Sequence, residues 1–249
     1  MTLLLHNNSQ RELLSTRLQK FTSKNQHNEN LVGAAVVIAV SEHQNTGHQH
    51  TGHQNTGQKN PNKTSNDQSC ILLTRRSSRL RKHSGQFALP GGKLDPGESV
   101  TEAAIRELSE ELNLHVSHDN VIGLLDDFAT NSGFNITPVV VWIEDHQKLN
   151  ANPDEVAAVY EIPFSELESV TMRHDDEGLG DEEPRDEESD VAMKSGESNT
   201  PPVMSLYLPS VGTSIYSPTA AIIYQFKEVA LCGRSTRVSH FALPKFAWK

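Results

Sequence analysis

The 249-residue chain is long enough for one substantial hydrophobic core, yet only 35% of its residues are hydrophobic, so some segments must lie outside that core. Its formal net charge of −10 is concentrated in residues 175–190, where ten acidic side chains face only Arg185; the remainder is close to neutral and gives no general reason to expect a nucleic-acid or anionic-membrane partner. There is no run of eighteen apolar residues, and MTLLLHNNSQ has neither a basic leader nor a long apolar stretch, so a cytoplasmic chain without membrane association is expected.

In chain order, residues 9–20 set Leu13, Leu14 and Leu18 at the spacing of a short amphipathic helix. LVGAAVVIAV, residues 31–40, is rich in β-branched side chains and reads as a buried strand, with CILLTR, residues 70–75, as another. Between them, residues 43–57 write the pentapeptide H-Q-x-T-G three times. It has no apolar side chain larger than a Thr methyl and cannot offset its ordering entropy by burial. With the polar stretch to 68 it reads as an insertion at the tip of an enlarged hairpin. His43, His48, His50 and His53 could bind a transition metal weakly, but nothing in the sequence fixes their geometry. Cys70 and Cys232 are expected to be reduced structural thiols.

Asp95-Pro96-Gly97 is a turn just ahead of SVTEAAIRELSEELNL, where Ser99 and Glu102 form a capping-box pattern and Ala104, Leu108 and Leu112, with Ile105, make a flank for packing against sheet. Strands are expected over 121–128, 136–143 and 156–163, then a short helix over 164–170. The acidic run continues into a Ser/Asn/Pro-rich stretch, making 174–202 a second insertion. SLYLPS, residues 205–210, precedes a turn, and 218–231 has the spacing of a final helix. The elements suggest a single mixed α/β or α+β domain across 1–249 with its core over about 29–235, and not a doubly wound parallel sheet.

The chemistry is concentrated in residues 91–112. Glu107, Glu110 and Glu111 fall at i, i+3 and i+4, which sets three carboxylates on one helical face. Such a stripe alone suits any surface helix. Here it follows Gly91-Gly92, where backbone can approach a ligand closely, and Arg106 adjoins it where a guanidinium could tether a loop carboxylate such as Glu98. Clustered carboxylates repel one another unless a cation sits among them, and Mg²⁺ and Mn²⁺ prefer oxygen ligands.

From Gly92 the chain reads G-x5-E-x7-R-E-L-x-E-E-x-N-L. This resembles the Nudix box, G-x5-E-x7-R-E-U-x-E-E-x-G-U with U aliphatic, and Glu98, Arg106, Glu107, Glu110 and Glu111 meet every charged position. Asn113 stands where the family usually has Gly; Asn tolerates left-handed geometry better than most residues. The resemblance implies a Nudix α/β/α sandwich with a mixed central sheet. It makes Glu107, Glu110 and Glu111 ligands of Mg²⁺ or Mn²⁺, Arg106 the group orienting the loop, and Glu98 a carboxylate beside the metal cluster, with Glu98, Arg106 and Glu110 among the catalytic residues.

LLTRRSSRLRKHSGQFALPGG, residues 72–92, is similar to the signature of the coenzyme A diphosphatase branch. The resemblance nominates Arg75, Arg81, His83, Gln86, Gly91 and Gly92 for substrate binding; Arg75 comes one place before the first signature Arg, a place filled by Arg76, and Leu89 replaces the usual Phe. Independently, Arg75, Arg76, Arg79, Arg81, Lys82 and His83 form a basic island suited to the diphosphate and ribose 3′-phosphate of coenzyme A. The island is short and lacks the interleaved aromatics of a nucleic-acid surface. Glu155, in the later segment N-P-D-E-V, is either a further ligand or base, or a loop acid beside a strand. The implied reaction is hydrolysis of coenzyme A or a derivative to 4′-phosphopantetheine and 3′,5′-adenosine bisphosphate. Hydrolysis of another nucleoside diphosphate derivative, and a non-catalytic nucleotide sensor, are the alternatives.

Overall fold

The structure, a computed structural model, describes residues 5–25, 30–44, 68–80, 84–144, 149–171, 173–175 and 203–240. The pentapeptide repeat beyond Gln44 and the acidic run beyond Asp175 lie outside the described residues, as do Arg81, Lys82 and His83.

The chain forms a mixed sheet around β1 (Val32–Glu42). β2 (Ser69–Arg76) runs antiparallel to it through Val40↔Ile71, Ser41↔Cys70 and Glu42↔Ser69, so the repeat joins the two strands of a hairpin. The pairing stops there because the next segment enters between the strands. β3 (Phe87–Ala88) pairs with β2 through Thr74↔Ala88 and Arg75↔Phe87, and β4 (Gly91–Lys93) pairs with β1 through Val36↔Gly91, Ala35↔Gly92 and Ala34↔Lys93. The wedge is pinned where its ladder is interrupted: Thr74 Oγ1 donates to the Ala88 carbonyl (2.9 Å) and Val37 N–H to the Pro90 carbonyl (2.7 Å). On its other edge β1 pairs in parallel with β7 (Phe134–Trp142), which carries the antiparallel β5 (Val121–Leu124) and β6 (Phe128–Ala129). β8 (Val156–Pro163) closes the far side against β2, with a register shift at Arg75/Arg76.

The alternation of a strand sorts the core into two clusters. Ala35, Val37, Cys70, Leu72, Val139 and Val141 share one cluster with Ala103, Ala104, Leu108 and Leu112 of α2 (Val100–Leu112). Ile38, Val40, Ile71, Leu73 and Trp142 belong to the other, with Leu14 and Leu18 of α1 (Asn8–Lys20), Phe164 of α3 (Phe164–Ser169) and Phe226 of α4 (Thr219–Phe226). A small second sheet joins this side: β9 (Arg173–Asp175), β10 (Val203–Leu208) and β11 (Thr213–Tyr216), in order β11-β10-β9. Complete burial of each such Leu or Phe is worth about 1.5–3 kcal/mol, so α2 is anchored by its apolar flank whatever its acidic flank does.

The start of α2 follows its sequence. The Ser99 hydroxyl accepts from Glu102 N–H (3.3 Å) and the Glu102 carboxylate from Ser99 N–H (2.8 Å), completing the capping box. Its end is Asn113, in the left-handed region at φ 56°, with its N–H returned to the Ser109 carbonyl (3.1 Å).

Several features differ from the sequence reading, among them the wedge strands β3 and β4, where only a glycine turn was expected, and β9, which takes in His174 and Asp175 of the insertion expected over 174–202. The strand expected over 121–128 is split into β5 and β6, because Asp126 and Asp127 turn inward to side-chain partners. Asp126 accepts from Lys24 N–H (2.7 Å), from Gln225 Nε2 (2.9 Å) and from Arg237 Nη1, while Asp127 accepts from Thr137 Oγ1 (2.6 Å) and Asn135 Nδ2 (2.8 Å). The core reaches past 29–235, since Leu14, Leu18, Phe21 and Val238 are all buried. The final helix changes from α to π hydrogen bonding at Lys227–Leu231. β11 completes a hairpin where only a turn was expected, its Leu206↔Ile215 pair joining the core. Among the described residues no helix is long and apolar enough to cross a membrane.

Asp126→Ala removes the acceptor shared by Lys24 N–H, Gln225 Nε2 and Arg237 Nη1, though the last two side chains keep contacts to the Thr236 and Thr22 carbonyls, and is expected to cost about 1–3 kcal/mol. Urea denaturation measures this; an unchanged midpoint would remove the clasp from the stabilising interactions. Asn113→Ala, which puts a Cβ into left-handed backbone without the Asn side chain, should lose about 1 kcal/mol, and Asn113→Gly should not.

Candidate active site

One guanidinium organises the acidic flank of α2. Arg106 Nε donates to Glu98 Oε1 (2.9 Å) and Nη2 to Glu98 Oε2 (3.0 Å), a two-pronged pair across the turn ahead of the helix. Nη1 donates to Glu107 Oε1 (2.8 Å) and Glu110 Oε2 (2.9 Å), and Nη2 also reaches the Lys93 carbonyl (3.0 Å). A planar fork of five N–H donors allows this, where an ammonium would not. The Glu98 carboxyl is held below its ordinary range chiefly by Arg106 and also by Asp95 N–H. Glu107 is pushed up by burial, which Arg106 opposes.

Glu111 is different. It is only 4% exposed, burial and the neighbouring Glu107 push its carboxyl up to about 8, and its Oε2 has no hydrogen-bond partner. Arg76 Nη1 approaches Glu111 Oε1 at 3.9 Å, and a Gly91 backbone hydrogen bond also reaches the carboxylate. Glu155 adds negative charge felt by both Glu107 and Glu111. Its loop is tied to the same helix, with Asn152 N–H on the Glu111 carbonyl (2.8 Å), and its own carbonyl accepts from Ser77 N–H (2.8 Å).

The glycines explain how strand and helix come so close. A Cβ on Gly92 would overlap the Glu107 carboxylate, and one on Gly91 would overlap the Ala35 carbonyl and Val36 Cα of β1. The first obstacle is the tip of a flexible side chain, the second is backbone.

The structure thus gathers Glu98, Arg106, Glu107, Glu110, Glu111, Gly91 and Gly92, with Glu155 close by. Gln86 is placed through its backbone, its carbonyl accepting from Arg76 N–H (2.9 Å). Arg75 is exposed; alternation puts it on the face of Ile71 and Leu73, away from α2. Arg81 and His83 lie outside the described residues. Arg76, not among the residues nominated for substrate binding, is the cation of the island that meets the acidic helix among the described residues, because strand alternation sets it on the face of Cys70 and Leu72, toward α2. The resemblance marks its position, and the period-two alternation of β2 agrees.

The donor set suits a hard divalent cation: three carboxylates on one face, one of them carrying a buried oxygen without a partner. Among the described residues no three His, Cys, Asp or Glu side chains already converge at metal-holding distance, since Glu107 and Glu110 are turned to Arg106.

An acidic helix held by an arginine beneath a glycine turn, on a mixed sheet, is the arrangement of the Nudix fold. Residues 63–182 match the NUDIX domain family model. Nudix hydrolase 3 of Caenorhabditis elegans is 33% identical over 163 residues, covering 64% of this chain and 68% of the relative. The uncharacterized Nudix hydrolase NudL of Yersinia enterocolitica is 46% identical over 97 residues, 39% of this chain and 50% of that one. The chain belongs to the Nudix hydrolase family. Its match spans only about half the length of the bacterial relatives (50% to 56%). Among solved structures, a MutT/nudix family protein from Enterococcus faecalis is 18% identical with a TM-score of 0.40, covering 63% of this chain and 56% of that one.

Gly92→Ala should displace the Glu107 carboxylate and lower turnover at least about tenfold with little change in unfolding midpoint, since a side-chain tip can move aside. Gly91→Ala strikes backbone and should lose about 2 kcal/mol or more of stability. Equal thermal losses in the two variants would contradict this division of roles.

Proposed function

We propose that this protein is a metal-dependent hydrolase of coenzyme A or its derivatives, yielding 4′-phosphopantetheine and 3′,5′-adenosine bisphosphate, and that it acts in the cytoplasm as one hydrolase domain carrying two insertions. The observation that carries the reading is the Arg106 constellation, which holds Glu98, Glu107 and Glu110 at the Gly91-Gly92 turn beside the buried, unpartnered Glu111 oxygen. A binding module has no need of so expensive an arrangement of like charges.

Glu107, Glu110 and Glu111 would hold Mg²⁺ or Mn²⁺, which when bound supplies water activation and charge stabilisation at the diphosphate. Arg106 fixes the turn and the helical carboxylates in one frame, so that the site is organised before substrate arrives. Glu98 lies on that frame, where Arg106 engages both its oxygens and keeps it a charged carboxylate beside the metal ligands, and Glu155, on the loop tied to α2, is the carboxylate left to accept a proton from water. Arg76 offers the anhydride oxygens a cation at the inner wall of the site, and the Gly91-Gly92 turn leaves room for a phosphate against backbone. Arg81 and His83 belong to the same basic island and are proposed to read the outer phosphate.

Glu110→Gln and Glu111→Gln remove charge at nearly constant volume and are expected to lower metal-saturated turnover by about a hundredfold or more, with weaker Mn²⁺ binding by calorimetry; unchanged values in both would withdraw the ligand assignment. Steady-state kinetics with product masses should give higher kcat/KM for coenzyme A than for 3′-dephospho-coenzyme A or ADP-ribose, by about tenfold for one added charge-assisted contact. A preference for ADP-ribose or a diadenosine polyphosphate would transfer the protein to another nucleoside diphosphate substrate. Binding without cleavage of any of them would make it a sensor.

A further inference from the structure

The sheet is covered unequally on its two sides at the Gly91-Gly92 end. Toward α2, Ala35, Val37, Thr137 and Val139 are buried. On the opposite side Val36 and Ile136 are only half-buried, although Ile38 and Val140 further along the same strands are completely so. Phe87 and Phe134 are half-buried there as well.

Register assigns the cations of this patch. Arg75 is the cross-strand partner of Phe87, so the two side chains stand together, and Phe87 is propped edge-on against Tyr160 (centroids 5.4 Å, 67°). Lys93 and Ile136 both pair with Ala34, and Lys93 Nζ lies 5.4 Å from the centre of the Phe134 ring. Arg75 and Lys93 are exposed, and among the described residues neither forms an ion pair with a carboxylate. The patch is joined to the acidic site by a single backbone strand, because the Lys93 carbonyl accepts from Arg106.

We infer that this face binds the nucleoside-phosphate half of the substrate, with Phe87 as the stacking surface for the base and Arg75 and Lys93 as contacts for its phosphate. The assignment rests on the diphosphate-hydrolase reading for the identity of the ligand. Half-exposed rings beside uncompensated cations match a flat base that carries phosphate. The pantetheine half, a flexible amide chain, offers neither a ring to stack nor a second phosphate.

The test is equilibrium titration of the full chain and of Phe87→Leu, Arg75→Gln and Lys93→Gln with 3′,5′-adenosine bisphosphate, 4′-phosphopantetheine and inorganic pyrophosphate, none of which contains the full substrate. Phe87→Leu keeps apolar volume and removes the ring. Phe87→Leu and Arg75→Gln should each weaken the adenosine bisphosphate about three- to tenfold and leave the other two ligands within about twofold; Lys93→Gln should act in the same direction. Uniform weakening of all three ligands, no weakening, loss confined to phosphopantetheine, or no binding of the bisphosphate by the unaltered chain would each overturn the inference. Hydrolysis of coenzyme A is assayed separately on the unaltered protein. Selective loss of bisphosphate binding in a protein that does not cleave coenzyme A would retain this face and discard the reaction, whereas cleavage together with unselective variants would do the reverse.

Discussion

Arg106 is where the electrostatics of this molecule are settled. Glu98, Glu107 and Glu110 all direct an oxygen to its guanidinium within 3.0 Å. Three carboxylates at that proximity repel one another strongly wherever water is scarce, and a delocalised cation with a rigid fork of donors counters the repulsion without leaving a donor unused. The same side chain grips the Lys93 carbonyl, so charge balance and the docking of the wedge strand are one interaction. Glu111, beyond its reach, is the carboxyl that burial pushes furthest up.

The wedge gives that interaction its geometry. Because β3 and β4 run between β1 and β2, the glycine turn is delivered against both the helix and the central strand. On one side Gly92 makes room for Glu107; on the other Lys93 and Phe87 stand on the opposite face of the sheet, at the end where Val36 and Ile136 are only half-buried. Two chemically different surfaces, acidic on one side, apolar and cationic on the other, are thereby set back to back across one strand.

Much of this was legible in the sequence wherever local rules decide the outcome. The capping box at Ser99, the apolar flank of α2 and the left-handed Asn113 are all properties of a few adjacent residues, and the structure forms them as read save that Ala103, not Ile105, joins Ala104, Leu108 and Leu112 in the core. The i, i+3, i+4 spacing was enough to put the carboxylates on one helical face. What it could not give was the wedge, because Phe87–Lys93 is short and broken by Pro90 and Gly91-Gly92, which announce a turn, and is extended only by neighbours already in place. Asp126 shows the same limit: inside an apolar run it looks like solvent-facing alternation, and its partners Gln225 and Arg237 lie about a hundred residues away. The switch to π hydrogen bonding at Lys227 leaves the apolar spacing almost unchanged, so it too was invisible.

At the end of the hairpin where the His/Gln pentapeptides are inserted, β1 and β2 pair last at Glu42 and Ser69, whereas the glycine turn meets β1 at Val36. Six residues of extended strand separate these points, a distance of about 20 Å. Copying errors that add or drop a five-residue unit therefore change the chain at the opposite end of β1 from the glycine turn. The same junction is a natural place to splice in a reporter domain or an affinity handle.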